Sequence, residues 1–203
     1  MNKHFEKYKI LSFFNPLVIK EPNNIEIEND FDRIIKFITI GRLSEEKGYI
    51  RILNSLSKIR DYDFTCTIVG SGLMDGVIKM KIDELKLVHR VNFIPYTKHV
   101  LDVLSDHDYF IQGSFVEGFP NGLLESCSVG TPAIAFNVPG GTKEIIEHKV
   151  NGFLINTESE LDELLNDKRK LFKISRDKVI EVVFDKFNSE KIINQYEALF
   201  FNI

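Results

Sequence analysis

Between Ile34 and Ile40 the chain reads IIKFITI, a nearly unbroken β-branched run of the kind a strand buried on both faces requires. Ile50, Leu53, Leu56 and Ile59 then recur every third residue, which predicts a helix of about four turns with one apolar stripe. The two patterns keep alternating: strand-like FTCTIVG at 64–70, helical spacing through Leu87, strand-like VNFI at 91–94, a short helix near 98–105, and strand-like YFIQG at 109–113. A strand at PAIAF (132–136), a short helix at TKEIIEH (142–148) and a strand at GFLIN (152–156) complete the series. Strands that alternate with helices pair in parallel through right-handed crossovers, so the expected fold class is α/β, a doubly wound, Rossmann-like parallel sheet. Residues 1–30, with Asn15-Pro16 and the acidic, Asn-rich EPNNIEIEND, read as a linker or arm, 31–175 as the Rossmann-like domain, and 176–203 as a helical extension. In that extension Ser189 is expected to cap a helix whose apolar face is Ile192, Ile193, Tyr196, Leu199 and Phe200.

Open α/β sheets bind ligands beyond the carboxyl ends of their strands, so the loops after the apolar runs hold the candidate chemistry. The richest is SFVEGFPNGLLESCSVG, Ser114 to Gly130, which sets Glu117 and Glu125 around the turn Gly118-Phe119-Pro120-Asn121-Gly122. Gly118 and Gly122 allow backbone amides to face a ligand, and Asn121 is expected to cap the following helix. Glu125 then falls in the first helical turn, where the dipole favours a carboxylate that can accept two hydrogen bonds from vicinal hydroxyls. After the first strand, Gly41-Arg42-Leu43 and Lys47-Gly48 put a guanidinium and an ammonium near a helix start, a combination suited to a diphosphate. Val69-Gly70-Ser71-Gly72 follows the second strand. A dinucleotide fingerprint would need glycine at 75, where Asp75 stands, so the glycines read as a tight turn that leaves room for a ligand. Pro139-Gly140-Gly141-Thr142 offers a further set of amides ahead of a helix. Asp106 and Asp108 precede a strand rather than follow one and read as loop residues, and the five histidines show no ligand spacing, so no metal is expected.

Charge and composition narrow the classes. A formal net charge of -4 lacks the basic field of a nucleic-acid binder, while leaving room for a small local phosphate site. No run reaches the roughly 18 apolar residues that span a bilayer. Asn15-Pro16 breaks the N-terminal apolar stretch and no small-residue cleavage site follows, which argues against a signal peptide. Cys66 and Cys127, inside a strand-like and a helix-like run, read as buried thiols of a reducing compartment. A cytoplasmic protein is expected, with possible peripheral contact at the inner face of the membrane.

Taken in order, GR-S--KG, VG-G, S--EGFPN--LE----G-P and GG--EII----NGFL resemble the nucleotide-binding C-terminal half of the retaining glycosyltransferases of the GT-B fold, family 4. The match runs from about Ile38 to Leu154, with Glu117 and Glu125 as its E-x7-E element. The resemblance implies a single GT-B C-terminal domain that binds a UDP- or GDP-linked sugar, with no other cofactor, and serves synthesis of a polysaccharide or glycolipid. It implies that Arg42 and Lys47 neutralise the diphosphate and stabilise the leaving nucleotide, that Glu125 binds ribose, and that Glu117 contacts the transferred sugar. Gly41, Gly70, Gly72, Pro95, Gly118, Phe119, Pro120, Asn121, Gly122 and Leu123 complete the implied donor site. Whether reaction at Glu117 is front-face attack or proceeds through a covalent intermediate stays open. Pro95 and Leu73 replace a common glycine and proline near the implied base pocket. The family's acceptor domain has no room in 203 residues, so a separate acceptor chain or a homo-oligomer is expected, and the rival reading is a non-catalytic binding subunit or a truncated remnant. Apolar residues in Ile10–Phe14 and in the C-terminal helix motivate that rival.

Overall fold

Among the described residues the apolar runs form six strands: β1 (Ile35–Ile40), β2 (Phe64–Val69), β3 (Val91–Ile94), β4 (Tyr109–Gln112), β5 (Ala133–Phe136) and β6 (Gly152–Ile155). In this computed structural model, which describes residues 33–201, they pair in parallel in the order β3-β2-β1-β4-β5-β6. The linker expected at 1–30, with its Asn15-Pro16 and its Ile10–Phe14 segment, lies outside the described residues. The order reverses between β1 and β4, and such a switch point opens a crevice beyond the carboxyl ends of the two strands.

Helices α1 (Tyr49–Leu56), α2 (Asp75–Glu84), α3 (Val100–Ser105), α4 (Asn121–Ser128) and the one-turn α5 (Thr142–Ile145) follow the first five strands in turn. Four more close the chain: α6 (Glu158–Leu165), α7 (Lys168–Leu171), α8 (Arg176–Phe187) and α9 (Ser189–Phe201). The strands are apolar on both faces because both are covered. Phe37, Ile38, Ile111 and Ile134 are fully buried, and one contiguous core joins them to Leu53, Leu56, Leu161, Val179, Val183 and Phe187. The boundary expected at 175 falls between α7 and α8, and α8 shares that core. Arg176 at its start donates to the carbonyls of Ser105 and His107, both at 2.7 Å.

Three local expectations are corrected. Helix α1 stops at Leu56, short of the expected four turns: the amides of Lys58 and Ile59 bond three residues back, to Ser55 and Leu56, and the Ser57 hydroxyl takes the Asn54 carbonyl at 2.7 Å; Ile59 is still buried, but from the turn beyond. Asn188, not Ser189, caps α9, its side-chain oxygen accepting from the amides of Glu190 at 2.9 Å and Lys191 at 3.4 Å. On that helix Ile192 is buried and Ile193 and Tyr196 are partly exposed, while the side chains of Leu199 and Phe200 lie outside the described residues. Asn121 is the first residue of α4 rather than its cap. Pro120 holds the position before it and offers its carbonyl to the amides of Leu123 and Leu124.

Buried polar groups are paired where they tie elements together. His107 bridges Thr67 Oγ1 at 2.8 Å and the Val103 carbonyl at 2.6 Å, and burial holds its pKa below the usual histidine value. Asp108 receives Arg33 at 2.7 Å and the Lys36 amide at 2.8 Å, a structural role at the amino end of β1. Cys66 and Cys127 are buried free thiols, pushed up to about 12 by burial.

Candidate donor cleft

The crevice at the switch point is a cavity of about 330 Å³. Its walls come from the end of β1 (Thr39 to Arg42), the following turn (Lys47, Tyr49), the end of β4 (Phe110, Gln112 to Ser114), and the 117–125 segment. Of the residues singled out from sequence, Gly41, Arg42, Lys47, Glu117, Phe119, Pro120, Asn121, Gly122, Leu123 and Glu125 all line this one cavity. Gly118 sits beside it at the top of the loop, with nothing within 4 Å of an added Cβ. Gly70, Gly72 and Pro95 are not in its walls. The two glycines instead bring the β2 loop against the β1 loop: a Cβ at Gly70 would fall 1.9 Å from the Gly41 carbonyl oxygen, and one at Gly72 would fall 2.4 Å from that of Leu43.

Two loops are zipped together to make the cleft. Gly48 takes φ +63°, and a Cβ there would stand 1.9 Å from the Gly113 carbonyl oxygen, so only glycine lets the Lys47 turn press against the end of β4. The Phe115 amide donates to the Glu46 carbonyl at 2.8 Å across the same seam. Beneath it lies Arg51, which sequence reasoning did not single out. Its guanidinium donates to the carbonyls of Gly113 and Ser114 and is stacked between the rings of Phe136 (3.4 Å) and Phe115 (4.1 Å). Burial pulls its pKa down to about 10, so it remains charged at neutral pH.

This seam sets Lys47 Nζ 2.7 Å from Glu117 Oε1, and the Ser114 hydroxyl donates to the same oxygen. Glu117 is anchored from the other side by its amide, which donates to the Pro139 carbonyl at 3.1 Å. The Gly141 amide donates to the Gly118 carbonyl at 2.7 Å. Two of the groups in the Pro139-Gly140-Gly141 turn thus brace the Glu117 loop, and none of the three residues lines the cleft. Arg42 is exposed at the rim and forms no ion pair among the described residues.

Glu125 lies on the second turn of α4, not the first as expected, because the helix begins at Asn121. Half-buried in the cleft wall, its carboxylate has no hydrogen-bond donor among the described residues, and desolvation raises its pKa. Tyr49 is a cleft residue that the motif reading passed over, and Ser114 one that it quoted without assigning a role. The available signal for Tyr49 was its place directly after Lys47-Gly48, and for Ser114 its hydroxyl three residues before Glu117. The Tyr49 hydroxyl is buried without a partner among the described residues, and burial followed by the Glu117 charge raises its pKa. Among the described residues no group of three or more His, Cys, Asp or Glu side chains is placed to hold a metal, and no helix is long and apolar enough to cross a membrane.

The arrangement can receive a ligand with anionic oxygens near Arg42 and Lys47 and hydroxyls near Glu117 and Glu125. A family model described as glycosyl transferases group 1 matches residues 20–181. An uncharacterized glycosyltransferase of Haemophilus influenzae is 30% identical over 207 residues, covering 96% of this chain and 56% of that protein. The chain spans about half the length of the curated relatives it matches. Among solved structures, the apo lipopolysaccharide outer core galactosyltransferase WaaB superposes with a TM-score of 0.79 at 22% identity, covering 94% of this chain and 55% of that one. Anabaena Alr3699/HepE in complex with UDP-glucose superposes with a TM-score of 0.75 at 23% identity, covering 85% and 50%. These likenesses show the fold.

Proposed function

The chain belongs to the group 1 glycosyl transferases, and from that premise we propose that it is the donor-binding half of a retaining enzyme that uses a UDP- or GDP-linked sugar. The observation that carries this reading is the convergence of Arg42, Lys47, Glu117 and Glu125 on one cavity at the switch point. Lys47 and Arg42 take the diphosphate, and their charge, fixed before reaction, stabilises the leaving nucleotide as negative charge develops on it. Glu125 accepts the two ribose hydroxyls, which supply the donors its carboxylate lacks. Glu117 contacts the transferred hexosyl or N-acetylhexosaminyl group. No metal or further cofactor is assigned a part.

The acceptor is a polysaccharide or glycolipid intermediate, met in the cytoplasm or at the inner face of the membrane, and it is held by a facing acceptor domain. Exposed Leu73, Phe115 and Val116, on the loops after β2 and β4, give such a domain apolar surface to meet at this end of the sheet. Residues 31–175 bind the donor, and 176–203 extend that domain, with α8 packed against α4.

Calorimetric titration with UDP and GDP tests the reading. One of the two binds, and Lys47→Ala or Glu125→Ala abolishes that binding. Absence of binding by both nucleotides at millimolar concentration refutes it.

A further inference from the structure

Tyr49, the first residue of α1, lines the donor cleft but has no part in the chemistry above. It is 3% exposed, and its hydroxyl has no hydrogen-bond partner among the described residues. A buried polar group left unpaired costs stability, and in a ligand cleft the economical explanation is a partner that arrives with the ligand. The nearby Glu117 carboxylate does not fill that role in this structure: its Oε1 receives Lys47 and Ser114, and neither of its oxygens pairs with the phenol.

Gly41 borders the hydroxyl. A Cβ built on Gly41 falls 3.3 Å from the Tyr49 hydroxyl, with Cδ and Cε of Lys47 next at 3.9 Å. The hydroxyl thus lies beneath Gly41 and the Lys47 stem, which cover it, so a ligand oxygen reaches it as Lys47 turns aside. The backbone supplies no donor there, since the Gly41 amide is spent on the Val69 carbonyl at 3.0 Å. Burial and the Glu117 charge keep the phenol protonated, so it can donate.

We propose that Tyr49 is a ligand-binding residue that donates its hydroxyl hydrogen to a diphosphate oxygen of the nucleotide-sugar seated over Gly41, beside the Lys47 ammonium. This rests on the donor-binding reading above. It adds a neutral donor to the two cations, one aimed by the first turn of α1.

The test compares wild-type chain with Tyr49→Phe, which keeps the ring and removes only the hydroxyl. Binding of UDP, GDP and the matching nucleosides is measured by calorimetry, and melting of the ligand-free proteins by differential scanning. The expected result is a loss of about 10-fold or more in affinity for the preferred nucleoside diphosphate, the size of one hydrogen bond to a charged group. Nucleoside affinity stays unchanged, and the melting temperature of the ligand-free variant is equal or higher because an unpaired hydroxyl is gone. Undiminished diphosphate affinity, or equal losses for diphosphate and nucleoside, overturns the assignment of Tyr49 alone. A wild-type chain that binds neither UDP nor GDP overturns the donor-binding reading itself, and this inference with it.

Discussion

Replacing Arg51 by methionine tests the physical account of the cleft most directly, because it perturbs the support of the site without touching the cavity. The side chain is 9% exposed, and its guanidinium is the donor to the Gly113 and Ser114 carbonyls. Methionine preserves the apolar stem but leaves both carbonyls without that donor, at about 1–3 kcal/mol for each group stranded away from water. The stacked positions over Phe136 and Phe115 are lost too, which adds about 0.5–2 kcal/mol for a desolvated cation over aromatic faces. Against these stands the relief of desolving a charge, visible in the pKa of about 10, so the net destabilisation expected is about 3 kcal/mol. Domains of this kind are stable by about 5–15 kcal/mol, so the variant folds but with little margin. Urea unfolding at pH 7 reads the difference from the midpoints. A second consequence is specific to the seam: Gly113 and Ser114 carry the loop that aims Glu117, so nucleotide affinity falls as well. A variant within 1 kcal/mol of wild type by the urea midpoints, with unchanged binding, refutes the claim that the guanidinium holds the two loops together.

Glu125→Gln separates stability from binding. Burial raises the Glu125 pKa, so the folded state favours the neutral form: its stabilising effect is full below the unfolded value and is lost as pH rises through the folded pKa. Glutamine keeps the neutral form at every pH, so at pH 7 the ligand-free variant melts higher than wild type while its nucleotide affinity drops about 10-fold or more with the charged acceptor gone. His107 has the opposite sign. Its pKa is depressed by burial, so the stability it contributes is full above the unfolded value of 6.5 and is lost as pH falls below it. The urea midpoint therefore falls between pH 7.5 and pH 5.5, and His107→Gln reduces that fall; an unchanged pH dependence in the variant counts against the buried neutral imidazole.

The six strands and their order of appearance were readable because burial on both faces leaves continuous β-branched runs, and the loops after β1 and β4 were readable because glycine beside Arg, Lys and Glu is an uncommon mixture at strand ends. Capping was misjudged by one residue at both helices, at α4 because a backbone carbonyl takes the cap and at α9 because the preceding helix reaches the capping side chain. Pro120 precedes α4 and moves Glu125 into the second turn, and α8 runs almost directly into α9, so that Asn188 serves both. Arg51 was illegible for a different reason. An arginine in an amphipathic helix reads as solvated, and its partners lie 62 and 63 residues further along the chain. Only the tertiary approach of the two loops, permitted by Gly48, turns it inward.

That approach also determines what donor binding must do to the Lys47–Glu117 pair. Lys47 Nζ lies 2.7 Å from Glu117 Oε1, with the carboxylate side chain 9% exposed. On the proposed reading a diphosphate competes with Glu117 for this ammonium. If Glu117 depended on Lys47 alone, losing it would leave a buried, unpaired carboxylate, and the cost would be subtracted from donor affinity. It does not depend on Lys47 alone: the Ser114 hydroxyl donates to the same oxygen, and the Pro139 carbonyl holds the Glu117 amide. On that reading Glu117 keeps its position while Lys47 turns to the phosphates, so its carboxylate is placed before the donor arrives. Preorganisation of this kind confines the rearrangement on binding to one flexible, partly exposed lysine side chain.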